Sequence, residues 1–181
     1  MGDLLTLVKR SASRLPDGGG GLPIGARHGL RRGTSATTWY DTGCRVEASD
    51  PQAAITAYER ALASSPAFAD AHNNLGRLLH DTGSPTAAEG SYRLAICADP
   101  GVALYWFNLG VAVEDQGRHA EAIAAYERAI ELDVHGADAH FNLARLLELN
   151  ARRAGDDVML RRAMRYLLRY RDLAKCNATA R

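Results

Sequence analysis

A period of 34 residues constrains this sequence more than any other feature. Asn74, Asn108 and Asn142 stand 34 apart, each inside nearly the same phrase: "HNNLGRLLH" from His72, "WFNLGVAVE" from Trp106 and "HFNLARLLE" from His140. The same interval relates Ala54, Ala88 and Ala122, then Tyr58, Tyr92 and Tyr126, then Ala61, Ala95 and Ala129. It also relates Leu75, Leu109 and Leu143, and the pair Pro66 and Pro100. A fixed period of this length marks small units that cannot bury an apolar face alone and do so by stacking.

Each unit reads as two helices. The first carries a pattern such as Leu75, Gly76 and Leu79 and stops near Gly83 or Gly117, residues suited to a helix C-terminus. The second runs Ala-x3-Tyr-x2-Ala, which puts Ala122, Tyr126 and Ala129 on one helical face. Small residues at Gly76, Ala88 and Ala95 admit close helix approach, and the tyrosine fills the gap between units. Asp99-Pro100 then closes the unit, because proline cannot continue a helix.

These motifs resemble the tetratricopeptide repeat, whose pattern is an aromatic, Leu-Gly, a large residue, Ala, an aromatic, Ala and Pro. The resemblance implies an all-α, right-handed superhelical solenoid of four helix-turn-helix repeats, at about 36–68, 69–102, 103–136 and 137–174. Repeat two supplies Leu75, Gly76, Leu79, Ala88, Tyr92, Ala95 and Pro100, with His72 in the leading aromatic slot. Repeat three supplies Trp106, Leu109, Gly110, Val113, Ala122, Tyr126 and Ala129, with Val134 in place of the proline. In repeat one Asp50-Pro51 serves as a helix start. In repeat four "NARRAGDDV" lengthens the turn, and the second helix resumes at "MLRRAMRYLLRYRDLAK" as a cap. A cap needs a polar outer face. Arg161, Arg165 and Arg169 supply one, with Arg162 beside them, opposite Leu160, Ala163, Leu167 and Tyr170. Residues 1–36 form a glycine- and arginine-rich leader expected to be disordered, and 175–181 a C-terminal tail.

By the same resemblance, side chains at unit positions 2, 5, 6, 9 and 12 of the first helices line a concave groove. Asn74, Asn108 and Asn142 are then a ladder along its floor, each amide able to pair with a peptide N–H and C=O together. Tyr40, Phe107 and Phe141 would supply aromatic surface, and Asn73, Arg77 and Arg145 further polar contacts. Asp70, His80, Leu104, Val111, Glu114, Asp138 and Glu148 hold the remaining positions, with Asp41, Cys44 and Glu47 in repeat one. The alternative is that the asparagines bond neighbouring groups within the fold. The carboxylate clamp of chaperone-binding members needs cations where this chain has Tyr40, Leu104 and Asn108, so a chaperone C-terminal tail is not the expected ligand.

The expected function is protein–protein interaction, an extended peptide or partner helix lying in the groove. No catalytic residue, metal site or cofactor is expected. "GGGG" lacks the P-loop Lys-Ser/Thr, there is no G-x-S-x-G or H-E-x-x-H, and His72 and His140 read as packing residues. No apolar run reaches the roughly 18–20 residues of a membrane span, and three cysteines without close pairs fit a cytoplasmic protein. Charge is uneven. Residues 1–37 carry six basic and two acidic side chains, 38–151 seven and sixteen, and 152–181 nine and three, giving +4, −9 and +6. The second reading is therefore a regulatory protein that meets nucleic acid or an acidic partner through basic ends.

The wording of residues 50–62, 69–80 and 167–173 also resembles the repeat region of bacterial MerR-family transcription regulators. Residues 1–36 are too short and glycine-rich for a winged helix, so direct DNA binding does not carry over. That resemblance implies a bacterial, cytosolic sensor or scaffold.

Overall fold

Helix starts and stops are written locally. The computed structural model describes residues 35–179, with side chains to Cys176; the leader expected over 1–36 lies, up to residue 34, outside the described residues. Ser35 and Asp50 begin α1 (Ala36–Val46) and α2 (Pro51–Ser64), their side-chain oxygens accepting from the Thr38 and Ala53 N–H groups at 3.2 and 2.9 Å. Pro51 and Pro85 occupy the first turns of α2 and α4 (Pro85–Ala98), where a missing N–H costs nothing. Between α3 (Ala69–Asp81) and α4, Gly83 takes φ +81°; between α5 (Ala103–Asp115) and α6 (His119–Leu132), Gly117 takes φ +75°. In those turns the N–H groups of Ser84 and Arg118 reach the Leu79 and Val113 carbonyls, closing the first helix of the unit. The last unit is α7 (Ala137–Ala154) and α8 (Asp157–Thr179). Among the described residues the eight helices pair in order as four hairpins.

The Ala-x3-Tyr-x2-Ala face packs as its spacing implies. Tyr58, Tyr92 and Tyr126 are buried, and each ring lies over a glycine of its partner helix. A Cβ added at Gly43, Gly76 or Gly110 would meet the ring of Tyr58, Tyr92 or Tyr126 at 2.5, 2.8 or 2.6 Å. Unit four departs at both positions, with Ala144 in place of the glycine and Leu167 in place of the tyrosine, both lining one cavity. One core runs from α4 to α8, with Leu143, Leu146 and Leu147 at its centre, and a smaller one surrounds Tyr58.

The leading aromatic slot has a specific task. His72 Nε2, Trp106 Nε1 and His140 Nε2 lie 2.8, 3.0 and 3.1 Å from the carbonyls of Pro66, Pro100 and Val134, six residues back in each case. A carbonyl only accepts, so each ring nitrogen carries the hydrogen. This explains why histidine substitutes for tryptophan there. The proline at the end of the unit is dispensable for the turn. Asp99 and Asp133 make it, their carboxylates accepting from the N–H groups of Gly101 and His135 at 3.0 and 2.9 Å.

Unit four differs from the sequence expectation. "NARR" does not lengthen the turn but continues α7, which has 18 residues against 13 in α3 and α5. Ala151, Arg152 and Arg153 are good helix formers, and no glycine or proline interrupts α7 before Gly155, where φ is +66°. Asn150 on the added turn is tied to α6, its Oδ1 2.9 Å from His119 Nδ1. α8 begins at Asp157 rather than Met159 and continues through residue 174, the expected end of the repeat domain, to Thr179.

A buried carboxylate joins units two and three. Glu89, 8% exposed, accepts from Arg118 Nη1 at 2.6 Å and from Gln116 Nε2 and Arg93 Nε at 2.9 Å each. Burial alone would raise its pKa, but the bonds from Gln116, Arg93 and Arg118 outweigh it and hold the carboxyl below its ordinary 4.5. A depressed folded pKa gives stability that is complete above 4.5 and is lost as pH falls through the folded value. Urea midpoints should therefore show the wild type ahead of Glu89→Gln at neutral pH, with the gap narrowing below about pH 4. A gap that stays constant down to about pH 3 would rule out this linkage.

Candidate peptide-binding groove

The first helices α1, α3, α5 and α7 stand side by side, and polar contacts tie each to the next. Two junctions repeat one arrangement. Between units one and two, the Tyr58 hydroxyl donates to Glu47 Oε2 at 2.8 Å, Arg77 is ion-paired to the same carboxylate, and Asn74 Nδ2 lies 3.4 Å from the Tyr58 oxygen. Between units three and four, Tyr126 donates to Glu114 Oε2 at 2.9 Å, Arg145 pairs with Glu114, and Asn142 lies beside the Tyr126 hydroxyl and acts to lower its pKa. Burial first, then the Glu114 charge and hydrogen bond, push the Tyr126 pKa far above its ordinary range. Burial likewise leads the rise at Tyr58, and at Tyr40, which goes up to about 12. These hydroxyls keep their protons; those of Tyr58 and Tyr126 donate to glutamate, and that of Tyr40 accepts from Asn74.

The middle junction uses other chemistry, because His80 and Val111 stand where the others have glutamate and arginine. Here Asn108 Nδ2 donates to Asn73 Oδ1 at 2.8 Å, Tyr105 donates to Asp70 Oδ1 at 2.5 Å, and His80 Nε2 lies 2.7 Å from Asp115 Oδ2. Asn73 is buried and also donates to Asn74 Oδ1 at 3.3 Å. Nδ2 of Asn74 and of Asn108 is thus already bonded inside the fold, each to a side chain of the preceding unit. Asn74 reaches Tyr40 as well, at 3.2 Å. Sequence reading placed Glu47, Glu114, Arg77 and Arg145 as separate ligand-facing residues and missed their pairing. The usable signal was the spacing of 30 or 31 residues from glutamate to arginine across each junction.

Apolar surface accompanies the polar floor. Between α5 and α7 a cavity of about 200 Å³ is lined by Leu104, Phe107, Ala129, Ala137 and Asp138. Leu104 is 52% exposed, Phe107 is half-buried with its ring 5.9 Å from Tyr126, and Phe141 is exposed beside Tyr170 at 5.0 Å. Tyr40 stacks between Tyr58 and Phe68 at 5.8 and 4.8 Å. Positions 2, 5, 6, 9 and 12 of the four units hold six carboxylates, from Asp41, Glu47, Asp70, Glu114, Asp138 and Glu148, against the two arginines Arg77 and Arg145. The face is acidic.

The basic set on α8 does not stay together. Arg161, Arg165 and Arg169 are exposed on one side, whereas Arg162 turns to α6, where it pairs with Glu127 and lies 5.9 Å from the Tyr166 ring centre. Among the described residues no three His, Cys, Asp and Glu side chains gather as metal ligands, and no helix is long and apolar enough to cross a membrane.

Two tetratricopeptide repeat profiles match the chain, over residues 45–103 and 103–134. These residues are tetratricopeptide repeats, and the described helices form a solenoid of that type. A crystal structure of MamA is 20% identical with TM-score 0.71, covering 80% of this chain and 81% of its own. MamA from residue 41 to its end, of Desulfovibrio magneticus RS-1, is 20% identical with TM-score 0.66, covering 78% and 76%. The first repeat domain of Spaghetti (RPAP3), bound to the HSP90 peptide SRMEEVD, is 20% identical with TM-score 0.62, covering 64% of this chain and 93% of its own. At such identity these likenesses show the fold alone. No curated protein sequence matches.

Proposed function

We propose that this chain is a non-enzymatic interaction scaffold whose α1, α3, α5 and α7 face takes an extended peptide or partner helix rich in basic and apolar residues. The observation that carries this is an acidic face around an exposed apolar anchor at Leu104 and Phe107. A cationic side chain gains from Asp41, Asp70 and Asp138 on approach, and an apolar one gains by filling the α5–α7 cavity. The same chemistry repels an acidic tail such as SRMEEVD, which the Spaghetti domain holds.

A display selection of random peptides on the full chain tests this. Recovered peptides should be enriched in Arg, Lys and large apolar residues, and SRMEEVD should not bind. Leu104→Arg and Asp138→Lys should each weaken a selected peptide by about tenfold or more, roughly 1.4 kcal/mol. Acidic winners, or binding indifferent to both substitutions, would refute the reading.

A second reading gives the basic end of α8 an acidic partner, supported by Arg161, Arg165 and Arg169, which form no ion pair among the described residues. The likeness to MerR-family repeats favours a regulatory setting for either contact. The excess of arginine over lysine and three cysteines far apart in the sequence fit a bacterial cytoplasm.

A further inference from the structure

In unit three the second helix hides its outward face under the first helix of unit four. That face carries Ile123, Tyr126 and Ile130: the tyrosine is buried and the isoleucines are half-buried against the core. The covering helix α7 supplies Ala139, Leu143, Leu146 and Leu147, all buried. α8 carries the matching positions as Met164, Leu167 and Arg171, 41 residues further on. There the face is open, with Met164 51%, Leu167 38% and Leu168 45% exposed. Beside it, Phe141, Ala144, Leu160 and Ala163 complete a cavity of about 320 Å³ between α7 and α8. Its lining repeats the pattern that receives a helix at the preceding junction.

Charge decides which helix fits. Residues 157–176 hold six basic side chains and two acidic ones. Arg161 and Arg165 flank the apolar strip, and Arg171 and Lys175 stand at its far end with Leu168. A second copy is a poor occupant. α1 presents Thr38, Thr42 and Arg45 where α7 presents Ala139, Leu143 and Leu146, so head-to-tail stacking would set hydroxyls and a cation against leucine. Two α8 faces together would oppose like charges.

We infer that the α7–α8 groove is a docking site for an amphipathic helix of another protein, apolar along one face and acidic along its flanks. The apolar stripe lies on Met164, Leu167 and Leu168 and enters the cavity beside Phe141. The flanking carboxylates meet Arg161 and Arg165 along one side, and a carboxylate at the end of the helix meets Arg171. This site stands on α8 and gives a partner to the basic end of the second reading; it meets the acidic face at a border where Phe141, Arg145 and Glu148 also line the cavity, Glu148 being ion-paired to Arg152.

The test uses the full chain and two designed helical peptides of about 20 residues, long enough to be helical when docked. Both carry leucine at the spacing of Ala139, Leu143, Leu146 and Leu147; one has glutamate flanks and its twin has lysine flanks. The glutamate peptide should bind about tenfold or more tightly than the twin by fluorescence anisotropy. Met164→Glu/Leu167→Glu and Arg161→Glu/Arg165→Glu should each remove at least that factor, and Leu104→Arg should leave it unchanged. All these positions are exposed or half-exposed, and circular dichroism checks that the helices persist. Equal binding of the twins overturns the inference. So does flotation with anionic phosphatidylserine vesicles when neither peptide binds, or a concentration-dependent dimer that Leu167→Glu abolishes.

Discussion

Gly110→Ala is expected to destabilise the solenoid, although alanine is the better helix former. In an exposed helix interior the exchange gains about 1 kcal/mol. At Gly110 the new Cβ would stand 2.6 and 2.7 Å from Cε1 and Cδ1 of Tyr126, a ring with no exposed surface. Overpacking of this kind costs about 1–3 kcal/mol or more, so the net loss reaches about 2 kcal/mol and several degrees of Tm. Tyr126→Leu alone opens a cavity, a loss of about 2–4 kcal/mol, and removes the hydroxyl that bonds Glu114. Unit four already carries Ala144 and Leu167 at these two positions. The double variant Gly110→Ala/Tyr126→Leu should therefore melt above the midpoint that the two single losses predict by addition, with a coupling of about 1 kcal/mol or more. Strict additivity in calorimetry would show that glycine and tyrosine do not share the contact.

That pairing illustrates what the sequence made legible. The 34-residue recurrence of Tyr58, Tyr92 and Tyr126, with small residues opposite, is enough to specify two helices per unit and the face they share. The common face of Asn74, Asn108 and Asn142 follows from the same register. Side-chain partnerships across a junction do not follow, because they depend on reach rather than period. Arg77 and Arg145 find glutamates in the preceding unit, while Val111 at the same position cannot. The extended α7 was hidden because Asn150, a residue that also suits turns, opens the added run, whereas Ala151, Arg152 and Arg153 favour helix until Gly155 sets the end. Most instructive is α8. The polar arc of Arg161, Arg165 and Arg169 was readable from i, i+4 and i+8 spacing, and it made the helix look like a closed cap. Leu167 sits at the tyrosine position, yet burial there is conferred by a covering helix. The residue type alone cannot say whether that helix is present.

The three-alanine variant Asn74→Ala/Asn108→Ala/Asn142→Ala should unfold at lower urea concentration, by about 2–4 kcal/mol in total, before any partner is considered. Each amide contributes about 0.5–1.5 kcal/mol through its hydrogen bond. The sites should rank by what each leaves behind. Asn108→Ala takes a donor from Asn73 Oδ1, and Asn73 is only 4% exposed, so an acceptor is left poorly hydrated at about 1–3 kcal/mol. Asn74→Ala is milder, since Tyr58 retains its bond to Glu47 and the Tyr40 oxygen is only half-buried. Asn142→Ala likewise leaves Tyr126 donating to Glu114. Asn108→Ala should therefore carry the largest single loss. This ranking bears on how the groove can be interrogated, because a binding defect in the triple variant mixes lost fold with lost contact. Leu104→Arg, at an exposed position, separates the two. If the triple variant instead unfolds at the wild-type midpoint, the amides are not held by Tyr58, Asn73 and Tyr126, and they are available to pair with a peptide backbone along the ladder.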